Sequence, residues 1–205
     1  MPDPILVATS NAGKLRDFAG AAQAFGVDIA ALPGFAALPL VEEDGDTFEA
    51  NARKKAEAYS RHAPKRIVIA DDSGLEVAAL NGAPGLHSAR YASADPTSNS
   101  SDAANNEKLL RELAQLPQAS RHAQFVCVIA AAKDGRTLKT FTGSAPGEIL
   151  SAPRGTDGFG YDPLFLVVEA GKTFAELNSE EKSRYSHRGA AFRQFLGWLK
   201  TQDKT

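Results

Sequence analysis

The chain has 205 residues, 43% hydrophobic and 23% charged, which is close to the soluble globular average and far from disordered, collagen-like or coiled-coil compositions. Its 23 Lys and Arg against 25 Asp and Glu give a formal charge of −2, too little field to hold a polyanionic duplex, so nonspecific nucleic-acid binding is disfavoured. The single cysteine, Cys127, excludes an intrachain disulfide or a cysteine zinc site, and no apolar stretch approaches the roughly 18 residues of a membrane span. Together with a start that lacks a signal-like pattern, this leads to the expectation of a cytoplasmic protein with no membrane and no nucleic-acid partner.

Ile5-Leu6-Val7-Ala8 is a short apolar run without helical period, which predicts a buried strand. A helix follows, with Leu15, Phe18, Ala22 and Phe25 on one stripe and Gly26 as its stop, and then a strand near residues 27–30. After the acidic loop 42–46, a second helix carries Phe48, Ala52, Ala56 and Tyr59, with Asp46 or Thr47 as N-cap. Ile67-Val68-Ile69-Ala70 reads as another strand, ending in Asp71-Asp72-Ser73-Gly74. Residues 81–96 read as irregular backbone and 107–113 as helix, and Asp134-Gly135 is a hairpin signal between two strand-like runs. Phe192, Phe195, Leu196 and Leu199 close the chain with a helix. The pattern is α/β with a mixed sheet, and no repeat or linker interrupts a single domain spanning 1–205.

Four segments carry residue types suited to chemistry. Thr9-Ser10-Asn11-Ala12-Gly13-Lys14 joins hydroxyl and amide donors, a glycine, a helix start and a lysine, which suits a phosphate, although the Walker A spacing is absent. Glu42-Glu43-Asp44 and Asp71-Asp72 offer carboxylates of the kind Mg²⁺ prefers. Consecutive strand residues point to opposite faces, so one aspartate of the pair is expected to be catalytic. The glycine-rich run 155–163 sets Phe159 and Tyr161 as flat faces for a base. Lys182, His187 and Arg188 could converge on phosphate or a base carbonyl, and Asn51 and Lys55, four apart on a helix, either join that pocket or face solvent.

Taken in order, Thr9 to Lys14, Thr47-Phe48-Glu49-Ala50-Asn51-Ala52, Ala70-Asp71-Asp72-Ser73-Gly74-Leu75, Gly82-Ala83-Pro84-Gly85, Ser88-Ala89-Arg90-Tyr91, Gly158-Phe159-Gly160-Tyr161-Asp162-Pro163, Glu181-Lys182-Ser183 and Ser186-His187-Arg188 resemble the inosine/xanthosine triphosphate pyrophosphatases over nearly the whole chain. The resemblance implies hydrolysis of ITP, dITP and XTP to the monophosphate and pyrophosphate with Mg²⁺, which cleanses the nucleotide pool of deaminated purines. It also implies an elongated mixed β-sheet flanked by helices, two lobes around a central nucleotide-binding cleft, and a homodimer. By the same resemblance Thr9, Ser10, Asn11, Ala12, Gly13 and Lys14 hold phosphates, Asp72 is general base and metal ligand, and Ser73 follows it in the substrate site. Glu42 matches a second metal ligand, with Glu43 an adjacent competitor. Phe159, Gly160, Tyr161 and Asp162 match a base-binding loop that Lys182, His187 and Arg188 complete. Ser10 stands where many relatives have glycine, as does the position after Tyr91, here Ala92-Ser93.

Overall fold

Apolar patterning resolves into seven strands and five α-helices in the computed structural model, which describes residues 4–23, 25–95, 97–116 and 120–202. The strands are β1 (Ile5–Val7), β2 (Ile29–Ala31), β3 (Val68–Val77), β4 (His122–Lys133), β5 (Arg136–Ile149), β6 (Phe165–Val167) and β7 (Lys172–Thr173). They form one sheet in the order β2-β1-β3-β4-β5-β6-β7. β1 is parallel to β2 and β3, whereas β6 is antiparallel to β5 and β7, so the sheet is mixed, as expected. The helices are α1 (Ala12–Gln23), α2 (Phe48–Ser60), α3 (Asp102–Ala114), α4 (Ser179–Tyr185) and α5 (His187–Gln202). Among the described residues no helix is long and apolar enough to cross a membrane.

The chain divides into two compact units: Met1–Asp72, Cys127–Ser144 and Ser183–Thr205 make the first, Ser73–Val126 and Ala145–Lys182 the second. In the first, α1 and α5 lay Phe18, Phe192 and Phe195 against Val7, Ile69, Ile129 and Phe141, all nearly inaccessible to water. Phe18 and Phe192 meet edge to face at 5.4 Å, the geometry the ring quadrupoles favour. In the second, Phe125, Phe165 and Phe174 form a three-ring cluster with centroids 4.7–5.7 Å apart.

Local signals act as expected at several boundaries. Thr47 caps α2 by accepting from the Ala50 N–H at 3.0 Å. Gly26, at φ +64°, takes the left-handed turn after α1, while Phe25 lies beyond the helix and is 39% exposed rather than on the buried stripe. Asp134 and Gly135 both have positive φ, which a two-residue hairpin turn of this hand requires.

One boundary is corrected. β3 does not stop before Asp71 but runs through Asp71, Asp72, Ser73 and Gly74 to Val77. Burying a carboxylate is costly unless it is paired, and here both have cationic partners.

Candidate active site

In the first unit, β1 delivers the chain into Thr9-Ser10-Asn11, and Asn11 Oδ1 accepts from the Lys14 N–H at 3.0 Å, capping α1. Thr9 Oγ1 accepts from the Asn11 N–H at 3.1 Å, which fixes the turn. Ser10, Asn11 and Ala12 are exposed and Gly13 is buried. The Lys14 ammonium reaches back to Asp71 Oδ2 at 3.0 Å.

Asp71 and Asp72 head two neighbouring clusters. Asp71 Oδ2 also accepts from Arg188 Nη2 at 3.1 Å and Nε at 3.3 Å, and Arg188 Nη1 donates to Asp17 Oδ2 at 2.8 Å. Asp72 Oδ2 accepts from Asn51 Nδ2 at 3.1 Å, and Asp72 Oδ1 from Lys55 Nζ at 3.2 Å. Lys55 Nζ donates in addition to Glu43 Oε1 at 2.7 Å. Asn51 Oδ1 receives the Gly45 N–H at 2.8 Å, an approach so close that a Cβ on Gly45 would lie 2.7 Å from that oxygen. The acidic loop is thereby tied to α2, and Glu43 reaches the Lys55 ammonium beside Asp72, although Glu42 and Glu43 are both exposed.

These surroundings drive the two aspartates apart. Burial would raise the Asp71 carboxyl, but Lys14, Arg188 and Lys55 overcome it and hold it well below the ordinary carboxylate range. Burial, reinforced by Glu43 across the way, pushes Asp72 above its ordinary value against the opposing pull of Lys55 and Lys14. Burial lowers the proton affinity of Lys55, yet Asp72, Glu43 and Asp71 together keep it above normal, so the ammonium stays charged. Burial likewise raises the Cys127 thiol, which lies 3.9 Å from Asp71 Oδ2 and stays protonated.

In the second unit, Asp162 organises the glycine-rich run. Its Oδ2 accepts from the Phe159 N–H at 2.9 Å and from Lys182 Nζ at 2.7 Å. The same ammonium stands 5.1 Å over the Phe159 ring, which is half-buried. Tyr161 is buried, and its hydroxyl donates to the Ser88 carbonyl at 2.9 Å, so this ring belongs to the interior and Phe159 is the accessible face. From α3, Asp102 Oδ2 accepts the Gly160 N–H at 2.6 Å and Asn106 Nδ2 donates to the Gly160 carbonyl at 3.0 Å. Ser73 is half-buried in β3.

The sequence-derived set is thus distributed: Thr9 to Lys14, Asp72 and Arg188 fall in the first unit with buried His187, and Ser73, Phe159 to Asp162 and Lys182 in the second. Asn51 and Lys55 join the Asp72 cluster rather than solvent. Missed altogether were Asp17, Asp102 and Asn106. Asp17 lies three residues after Lys14 and Asn106 four after Asp102, spacings that put each pair on one helix face, which was the available signal.

The Ham1 family model matches residues 5–198. A Geobacillus kaustophilus protein named dITP/XTP pyrophosphatase is 51% identical to this chain, over 91% of this chain and 89% of its own. Among solved structures, the Ham1 protein of Staphylococcus aureus is 43% identical, with a TM-score of 0.79 over 98% of this chain and 100% of that one. A HAM1 protein from Coxiella burnetii is 38% identical, with a TM-score of 0.80 over 97% of this chain and 98% of that one.

Proposed function

The chain belongs to the Ham1 family, and on that premise we propose that it hydrolyses noncanonical purine nucleoside triphosphates (ITP, dITP and XTP) to the monophosphate and pyrophosphate. The observation that carries the reading is Asp72, a buried carboxylate of raised proton affinity gripped by Asn51 and Lys55 beside a second cation, Lys14. Water attacks the α-phosphorus, its proton passes to Asp72, and the oxygen bridging the α and β phosphorus leaves with pyrophosphate. A triphosphate brings about four negative charges; Lys14 and Lys55 offset part of them, and a helix start such as that of α1 suits phosphate oxygens.

Mg²⁺ fits the donor set. Among the described residues no three His, Cys, Asp or Glu side chains converge, but Mg²⁺ usually takes one or two protein carboxylates and completes its shell with water and phosphates. Glu43 and Asp72 converge on one cationic centre, the Lys55 ammonium, and Asp72 with Glu42, or with the adjacent Glu43, would hold the ion. When bound, the ion neutralises charge on the phosphate oxygens.

The base end falls to Phe159 as a stacking face, with Asp162 and Lys182 alongside. Hypoxanthine and xanthine carry an oxygen at position 6 where adenine has an amino group. A donor aimed there rejects ATP by leaving a group unpaired. Family resemblance supports the further elements of the proposal, a homodimer and a cytoplasmic location.

The test is to incubate the protein with Mg²⁺ and, separately, ITP, XTP, dITP, ATP and GTP, and to identify the phosphorus products. Monophosphate and pyrophosphate formed fastest from ITP, dITP and XTP are expected. Diphosphate and orthophosphate would mean attack at the terminal phosphorus and would overturn the reading.

A further inference from the structure

Gly160 lies between Phe159, the accessible ring of the base loop, and Tyr161, whose hydroxyl is fixed on the Ser88 carbonyl. Its φ is +62°, and a Cβ there would meet nothing within 4 Å, so glycine serves the left-handed backbone at this point and not a close approach. A residue this free to turn needs outside contacts to hold one orientation. Helix α3 supplies them on both sides: Asp102 Oδ2 accepts the Gly160 N–H at 2.6 Å, and Asn106 Nδ2 donates to the Gly160 carbonyl at 3.0 Å. The N–H belongs to the peptide shared with Phe159 and the carbonyl to the peptide shared with Tyr161, so each bond fixes the plane of one peptide.

The clamp stands on an anchored element. Asp102 and Asn106 are four apart and share a face of α3. Elsewhere on the helix, buried Asn105 accepts from the Ala92 N–H at 2.8 Å and donates to the Ala89 carbonyl at 3.3 Å, and Lys108 Nζ donates to the Tyr91 carbonyl at 2.7 Å. Asn106 is poorly accounted for by stability alone. Its Oδ1 is buried and, among the described residues, has no hydrogen-bond partner, an arrangement that costs the fold free energy. Leucine would suit that helical position better.

We propose that Asp102 and Asn106 are positioning residues for the purine base: by holding the two peptides of Gly160 they set the angle at which the Phe159 ring meets it. The inference rests on the reading of Phe159 as the stacking face. Neither residue touches substrate or takes part in the chemistry. The consequence is that base affinity is governed from α3, separately from the turnover step at Asp72.

The test is steady-state hydrolysis of ITP by the full-length protein and its variants, with thermal melts alongside. Asp102→Ala and Asn106→Leu should each raise KM about tenfold, the size of one lost hydrogen bond to the loop, while kcat changes by less than about threefold. Asp102→Asn keeps an acceptor for the Gly160 N–H and should restore KM to near the wild-type value. Asn106→Leu should melt no lower than the wild type, because it removes the unpaired acceptor and favours helix, so its raised KM would not reflect lost stability. If KM is unchanged in both Asp102→Ala and Asn106→Leu, or if kcat falls as much as KM rises, the positioning proposal is overturned. Should Gly158→Ala, within the loop itself, also leave KM unchanged, the stacking reading of Phe159 falls with it. Absence of ITP turnover in the wild type would instead overturn the proposed function.

Discussion

Asp71 and Asp72 are consecutive in β3, yet their carboxylates end in opposite electrostatic conditions: Asp71 accepts from Lys14 and Arg188 and is held well below the ordinary range, while Asp72 is raised. Strand alternation is the cause, since successive side chains leave the sheet on opposite faces. One face meets α1 and α5 through Lys14 and Arg188, and the other meets α2 through Asn51 and Lys55. Two acids whose surroundings separate their proton affinities are suited to different tasks. Asp71 is a fixed anion that organises cations, and Asp72 is the one able to take a proton.

Asp72→Asn therefore keeps the Asn51 contact and the packing but removes the proton acceptor. Turnover of ITP, followed by pyrophosphate release, should drop by about 10²–10⁴, the usual contribution of a positioned general base, with the melting temperature little changed. Turnover within a few-fold of the wild type would remove Asp72 from the role of base.

Asp71→Asn acts on stability first. Arg188 is 2% exposed in its side chain, and the substitution takes away the anion shared by Arg188 and Lys14, leaving Asp17 as a carboxylate partner of Arg188. Breaking one side of a buried ion pair costs about 3–5 kcal/mol, because the surviving charge stays out of water. Urea unfolding should show a loss of about 3 kcal/mol. A loss below about 1 kcal/mol would show that water or Asp17 compensates the guanidinium.

Much of this arrangement could be read along the chain. The stripe of Phe18 and Ala22, the Thr47 cap and the Asp134-Gly135 turn each follow from local rules, and the structure keeps them. The polar centre of β3 looks like a strand end until Lys14, Lys55 and Arg188 are in view, and Arg188 is 117 residues away from Asp71 in sequence. Which carboxylate of the acidic loop meets Lys55 is equally closed to sequence reasoning. It depends on how the Gly45 N–H docks onto Asn51, a contact that adjacent, chemically similar residues do not announce. Tyr161 looked like a stacking face because its aromatic chemistry is visible in sequence and its hydroxyl bond to Ser88, 73 residues away, is not.

Gly158→Ala tests the base loop without touching the Asp72 cluster. Gly158 sits at φ +82°, and a Cβ there would lie 2.1 Å from Asp162 Oδ2, the oxygen that holds both Lys182 and the Phe159 N–H. An L side chain at positive φ costs about 1–2 kcal/mol, and the clash displaces the Asp162 carboxylate in addition. The KM for ITP should rise roughly tenfold, equivalent to about 1.4 kcal/mol of lost binding, with a smaller change in kcat. An unchanged KM would mean that the loop does not contact the base.

Glu176 provides a pH signature away from the proposed chemistry. Hydrogen bonds from Arg154, and from the Thr173 N–H at 2.7 Å, lower its carboxyl from 4.5 to about 2. A carboxyl depressed in the folded state contributes stability in full above its unfolded value, and that contribution is lost as pH falls toward the folded value. The window accordingly runs from about 4.5 down to about 2. Glu176→Gln keeps an acceptor for Thr173 but removes the charge facing Arg154. Its melting temperature should lie below the wild type at about pH 6, and the gap should narrow by about pH 3 as the wild-type carboxylate loses its advantage. Because the pair is at the surface, added salt should narrow the gap at neutral pH as well. A gap that stays constant between those two pH values would show that Glu176 acts through its shape in the turn and not through its charge.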